Sequence, residues 1–137
     1  MSLWIVFIIV VGLCSSLKDN WAQEVVDKIE SDITANAIAR NKIEFMSFFV
    51  ENYRYHECFK ENPEELGMHY LIARNKEVIG SKILSSNATE INSTDIFYIV
   101  KKRVGFRTEV TNNTVKKIDG KWRMTNSEEI ECKSDEE

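Results

Sequence analysis

The residues with useful chemistry gather in two alternating stretches. In Lys121 to Cys132, KWRMTNSEEIEC, the residues Trp122, Met124, Asn126, Glu128, Ile130 and Cys132 share one row. The other row is wholly polar, which is the period-2 signature of a half-buried strand. Glu128 shares its row with Trp122, Met124 and Ile130. A carboxylate in such surroundings has a raised pKa and, opposite a tyrosine donor, could transfer protons. Tyr55 or Tyr98 would be that donor. In Asn52 to Cys58, NYRYHEC, Tyr53 and Tyr55 share one face, and Arg54, His56 and Cys58 the other. Tyr53, Tyr55, Tyr98, Trp122 and Met124, with Asn126 and Glu128 as orienting polar groups, could equally wall a pocket for a small apolar ligand. The plainer alternative is that the aromatics fill the interior themselves and that Glu128 is solvated.

His56 beside Cys58 has the types for a metal site or a thiol–base pair. Zinc would need two more ligands, and His69 is the only other histidine. The pair therefore reads as a surface histidine next to a structural cysteine. No catalytic signature is present, so no catalytic residue, cofactor or metal is assigned.

Leu3 to Leu13, LWIVFIIVVGL, is an uncharged apolar run of about eleven residues, the length of a signal-peptide core. Cys14-Ser15-Ser16 supplies small residues for cleavage after Ser16. A spanning helix needs about 20 apolar residues, and Leu17-Lys18-Asp19-Asn20 stops this run early. The expected organisation is a signal peptide over 1–16, one domain over 17–133 and an acidic tail over 134–137, in a secreted protein without stable membrane insertion. Cleavage would leave Cys58 and Cys132, an even pair that in an exported chain reads as one disulfide. Closing a loop of about 70 residues is worth about 4 kcal/mol in the chain-entropy account. Free thiols and an intermolecular bridge are the alternatives. Three sequons, at Asn87, Asn92 and Asn112, agree with export and must face water if glycosylated. The net charge of -4 argues against nucleic acid, which needs a basic stripe.

The elements that must position these residues divide into a helical half and a sheet half. Trp21, Val25, Ile29 and Ile33 recur every four residues behind an Asn20–Gln23 capping box, predicting a helix from about Asn20 to Arg40. Asn41 with Glu44 starts a second helix carrying Ile43, Phe45, Met46, Phe48, Phe49 and Val50. A short strand over NYRYHEC follows. Asn62-Pro63-Glu64-Glu65 then starts a helix running to about Arg74. The chain is extended from Glu77, with Ser85 to Thr94 read as a polar turn region. Ile96 to Val100 reads as a central strand covered on both faces. If the far face is instead open, Phe97 and Ile99 form a pairing patch. Val115 and Ile118 fall out of step with Phe106, Thr108 and Val110, which predicts a β-bulge near Asn112-Asn113 and a curved sheet. Asp119-Gly120 is a hairpin turn.

This order resembles the nuclear-transport-factor-2-like superfamily, a cone-shaped α+β fold of long N-terminal helices packed on a curved antiparallel sheet. Ala37 to Cys58 looks like the family's helix pair leading to an aromatic strand. Ile96 to Val100 looks like its central strand, and Asp119 to Met124 like its late hairpin with a tryptophan after the turn. The resemblance implies a cone with a pocket at its open end, on which isomerases, dehydratases and non-enzymatic binding or dimerisation domains are built. The cystatin-like rival lacks its Gln-x-Val-x-Gly hairpin here. The expectation is a secreted, non-catalytic domain holding a small apolar ligand. A homodimerising interaction domain and an isomerase- or dehydratase-type enzyme are the alternatives.

Overall fold

A computed structural model describes residues 20–132. The expected signal peptide and acidic tail lie outside the described residues. Helix α1 spans Trp21–Ile38 and buries Ala22, Val26, Ile29, Ile33 and Ala37, the stripe that its apolar spacing dictates. The expected capping box does not form, since the Asn20 side chain makes no cap hydrogen bond. Gln23 is used elsewhere: its amide donates to Ser86 Oγ (3.1 Å) and accepts from the Ala88 backbone N–H (2.8 Å). A tertiary contact thus displaces a local one. Helix α2, Lys42–Ser47, is capped as expected, with the Asn41 side chain accepting from Glu44 N–H at 3.3 Å.

Strand β1 spans Phe49–His56, starting earlier than expected. Glu64–Glu65 form strand β2, paired antiparallel with Tyr55 and Arg54. Helix α3 therefore begins at Leu66, not Asn62, and runs to Ile79. The open edge of β1 takes the backbone that the Asn-Pro-Glu-Glu signal would have given to a first helical turn. Strand β3, Ser81–Asn92, occupies the stretch read as a polar turn. It is polar because it is a sheet edge with most of its side chains exposed. Strands β4 (Asp95–Val104), β5 (Arg107–Ile118) and β6 (Lys121–Ile130) complete the sheet. The β5–β6 turn has φ of 52° at Asp119 and 78° at Gly120, the left-handed pair that an Asp-Gly hairpin uses.

The strand order is β2-β1-β6-β5-β4-β3. Every pairing is antiparallel except β1 with β6, which is parallel, so the sheet is mixed. Ile96, Tyr98 and Val100 on β4, Val115 on β5 and Met124 on β6 meet the α1 stripe in one core. Phe45 of α2, Phe49 and Tyr53 of β1 and Tyr70 of α3 close one end of that core, with ring centroids 4.7–5.1 Å apart. The expectation that β4 is central and covered on both faces is corrected. It is next to the edge strand, and Phe97 and Ile99 alternate with the core row onto the opposite face.

The bulge is also elsewhere. Strands β4 and β5 pair without interruption from Asp95↔Lys116 to Val104↔Arg107. The register shifts between β5 and β6, where Val115 pairs with Met124 but Thr114 with Asn126. Thr125 is the extra residue, and beyond it the inward row changes parity.

Candidate functional site

The concave side of the sheet and the helices form a partly open cavity of about 80 Å³. Its wall is more polar than the sequence suggests. Strand β1 contributes Tyr53 and Tyr55 from its inward row. Helix α3 contributes His69 and Lys76, β4 contributes Lys102, and β5 contributes Glu109 and Asn113. Helix α1 adds Glu30, which lies one turn beyond Val26 on the apolar stripe. A carboxylate in that position must be compensated, because an unpaired buried charge costs several kcal/mol. Lys102 Nζ lies 2.9 Å from Glu30 Oε2, and Tyr98 Oη donates to Glu30 Oε1 at 2.6 Å. Burial alone would raise the Glu30 pKa, but Lys102 and the Tyr98 bond outweigh it and hold it below the ordinary value. Burial likewise opposes the Lys102 ammonium, and Glu30 outweighs it, raising the pKa. A second pair lines the same cavity: Lys76 Nζ donates to Glu109 Oε2 at 2.9 Å, and Arg107 donates to Glu109 Oε1.

The same wall carries buried polar atoms without partners among the described residues. The Tyr53 and Tyr55 hydroxyls are buried and have no hydrogen-bond partner among the described residues. Ser127 stands beside Tyr53, but its own hydroxyl lies 3.1 Å from Met124 Sδ, in position to donate to it. Burial pushes both tyrosine pKa values up, so the hydroxyls remain neutral donors. His69 packs among aromatic rings, stacked on Tyr55 with centroids 5.1 Å apart. Its Nδ1 has no hydrogen bond and lies 3.6 Å from Glu64 Oε1, beyond bonding reach. Burial, reinforced by Lys76 and Lys102, pushes the His69 pKa down to about 3. A base that weak is poorly matched to proton abstraction near neutral pH. The neutral ring is suited to orienting a bound group.

Of the ligand-binding candidates, Tyr53, Tyr55 and Met124 line the cavity. Tyr98 lies behind its wall and acts through Glu30. Trp122 is half-buried against Trp21, with centroids 6.0 Å apart, outside the lining. Asn126 and Glu128 are corrected outright. The bulge at Thr125 turns both outward into solvent and brings Ser127 in. Glu128 pairs in register with His56, which is also exposed. It therefore cannot be the buried carboxylate of a proton-transfer site. Cys58 and Cys132 are joined by a disulfide, Cα atoms 5.5 Å apart, so Cys58 is not a thiol beside His56. Of the sequon asparagines, Asn87 and Asn92 are exposed and Asn112 is half-buried.

Sequence reasoning missed Glu30, His69, Lys76, Lys102 and Glu109. One signal was available for Glu30, a charge at helical spacing from Val26, Ile33 and Ala37. Lys102 similarly continues the inward row of Ile96, Tyr98 and Val100.

No family model and no curated protein matches the sequence. Solved structures do match the fold. An NTF2-like protein with a cystatin-like fold from Novosphingobium aromaticivorans superposes with a TM-score of 0.61 at 12% identity, covering 90% of this chain and 92% of its own. A putative scytalone dehydratase from the same organism gives 0.59 at 12%, covering 78% and 81%. The association domain of C. elegans CaMKII gives 0.61 at 12%, covering 78% and 93%. The chain thus has the nuclear-transport-factor-2-like, cystatin-like cone fold. At such identity the likeness carries the fold and not the role.

Proposed function

We propose that this is an exported binding module whose cone holds a small polar molecule. The observation that carries the reading is the pair of buried tyrosine hydroxyls at the cavity, Tyr53 and Tyr55, which have no hydrogen-bond partner among the described residues. Buried donors are normally satisfied, and each one left unmade costs about 1–3 kcal/mol. A ligand oxygen placed between them would recover that cost. The earlier expectation of an apolar ligand gives way because the wall carries two ion pairs, Glu30–Lys102 and Lys76–Glu109. At about 80 Å³ the cavity exceeds the roughly 10–15 Å³ that one water needs on the same measure, so it has room for a small molecule. A short hydroxy or carboxylic acid has the required acceptors. Export is supported by the Cys58–Cys132 disulfide and by the sequons.

The test is native mass spectrometry of protein secreted from eukaryotic cells, with thermal shifts in acetate, lactate and glycerol. A ligand at 100 times its Kd stabilises by about 2.7 kcal/mol. The expected result is a bound small mass or a rise in Tm that Tyr53→Phe/Tyr55→Phe abolishes. A bare mass and an unmoved Tm with all three compounds would overturn the reading.

A second reading is association of two copies through the outer sheet face. Phe97 and Ile99 lie there half-buried, outside the core that the described helices cover, and a fold neighbour is an association domain. Sedimentation of the glycan-free chain at micromolar concentration decides it, a monomer counting against pairing.

A further inference from the structure

The β-sheet register brings two of the three sequons onto one spot. Asn87 on β3 pairs with Ile99 on β4, and Ile99 pairs with Asn112 on β5. The row continues to Glu128 on β6. All four side chains point away from the helices. Ala88 and Tyr98, neighbours of Asn87 and Ile99, face the core, as does Asn113, the neighbour of Asn112. Neighbouring strands lie about 4.8 Å apart, so Asn87 and Asn112 flank Ile99 at a mutual separation of about 10 Å. Phe97, two residues before Ile99, pairs with Thr89 and Thr114, the hydroxyl residues of the same two sequons. The apolar pair on the open face is thus framed by Asn-x-Thr on both sides.

Asn92 is placed differently. It sits at the β3–β4 turn, where its Oδ1 accepts from the Thr94 N–H (2.9 Å) and from Thr94 Oγ1 (3.0 Å). A glycan there would project from the end of the hairpin and leave the face uncovered.

We infer that N-glycans on Asn87 and Asn112 cover the Phe97–Ile99 patch and keep the chain from pairing through its outer sheet face. The inference rests on both the export and the pairing readings above. Glycans linked through Nδ2 of Asn87 and Asn112 would stand on both sides of Ile99, about 10 Å apart, so that a second sheet could not approach the patch flat. Asn112 is free to carry one on the nascent chain. In the folded protein Asn112 is half-buried on the outer face: its Nδ2 lies 3.3 Å from Glu128 Oε1, and its Oδ1 is turned into the surface, away from solvent. Carbohydrate here also shields β3, whose twelve residues form an open sheet edge.

The experiment is secretion from eukaryotic cells followed by intact mass, peptide mapping of glycan sites and light scattering at micromolar concentration. The wild type, Asn92→Gln, Asn87→Gln/Asn112→Gln, and the last with Ile99→Lys added are compared. The expected result is glycan on Asn87 and Asn112, with wild type and Asn92→Gln monomeric. The double variant should become dimeric, and Ile99→Lys should return it to monomer. Glycan absent from all three asparagines would defeat the export reading and the inference with it. Glycan on Asn92 alone would leave export standing and overturn the covering role. A glycosylated wild type that dimerises, or a dimer indifferent to Ile99→Lys, would also overturn it. A double variant that stays monomeric would remove the pairing reading on which it rests.

Discussion

Replacing Lys102 by Met strips the cation from a carboxylate, Glu30, that is only 4% exposed. In the native protein Glu30 is held by Lys102 at 2.9 Å and Tyr98 at 2.6 Å. Removing one partner of a buried pair costs about 3–5 kcal/mol, because the remaining charge is left uncompensated. The Lys102 side chain is 26% exposed, which lets some solvent reach the site and favours the lower end, about 3 kcal/mol. That is a large part of the 5–15 kcal/mol typical of a domain. The pH dependence identifies the cause. In the wild type the Glu30 pKa is lowered, so its contribution is present above the unfolded carboxylate value and is lost as pH falls through the folded one. In Lys102→Met burial, the largest influence, is countered chiefly by the Tyr98 bond and raises the Glu30 pKa. The variant's deficit is then greatest at neutral pH and shrinks on acidification as Glu30 takes up a proton. Urea unfolding at pH 7 and pH 5, in constant salt, measures both. Glu30→Gln/Lys102→Met, which keeps an acceptor for Tyr98, should recover most of the loss. A Lys102→Met deficit below about 0.5 kcal/mol, or one equal at both pH values, would refute the reasoning about a desolvated pair.

Three further outcomes are expected. Tyr53→Phe and Tyr55→Phe remove hydroxyls that no described residue satisfies, so each should leave stability unchanged or slightly higher while weakening any cone ligand about tenfold, readable as Tm with and without ligand. Cys58→Ser/Cys132→Ser opens a link spanning 74 residues and should cost about 4 kcal/mol in urea unfolding; a loss under 1 kcal/mol would contradict the chain-entropy account. His69 has its pKa pushed down to about 3, below the unfolded value, so the unfolded chain gains a proton that the native state refuses. Stability should therefore fall on acidification from about pH 6.5 towards 3, by up to about 1.4 kcal/mol per pH unit, and His69→Phe should lack that part of the slope; parallel profiles would contradict it.

The fold was legible where one local pattern met no competing partner. The α1 stripe, the Asn41 cap, the Ile96–Val100 run and the Asp119-Gly120 turn each dictate their element alone. Errors arose where a distant strand claimed the same residues. Glu64–Glu65 would have opened α3, but the edge of β1 takes them. Ser85 to Asn92 has turn composition, but β4 offers it a ladder that requires little side-chain burial. The site was less legible for one physical reason. A single extra residue in a strand inverts every side chain beyond it. The register of β6 gives no local sign of that residue, since Thr125 looks like any polar strand position. Placing the bulge on β5 instead of at Thr125 kept Asn126 and Glu128 in the wall and left Ser127 out.

The polar interior also explains where the fold finds its stability. Charges in the cone, even when paired, add little net stability relative to apolar residues of the same volume. The apolar contacts form one cluster, which joins the α1 stripe and the Phe45, Phe49, Tyr53 and Tyr70 rings to the inward residues of β4, β5 and β6. Strands β1 and β6, whose inward residues help wall the cavity, are parallel neighbours and share no hairpin. The disulfide joins the chain just beyond their adjacent ends, Cys58 after β1 and Cys132 after β6. Opening it should consequently loosen the Tyr55–Ser127 part of the cavity before the α1 core. Hydrogen exchange on Cys58→Ser/Cys132→Ser would show this as early loss of protection in β1 and β6 with α1 still protected. Uniform loss across α1 and β4 would mean that the bridge acts only on the unfolded chain, as the entropy account alone requires.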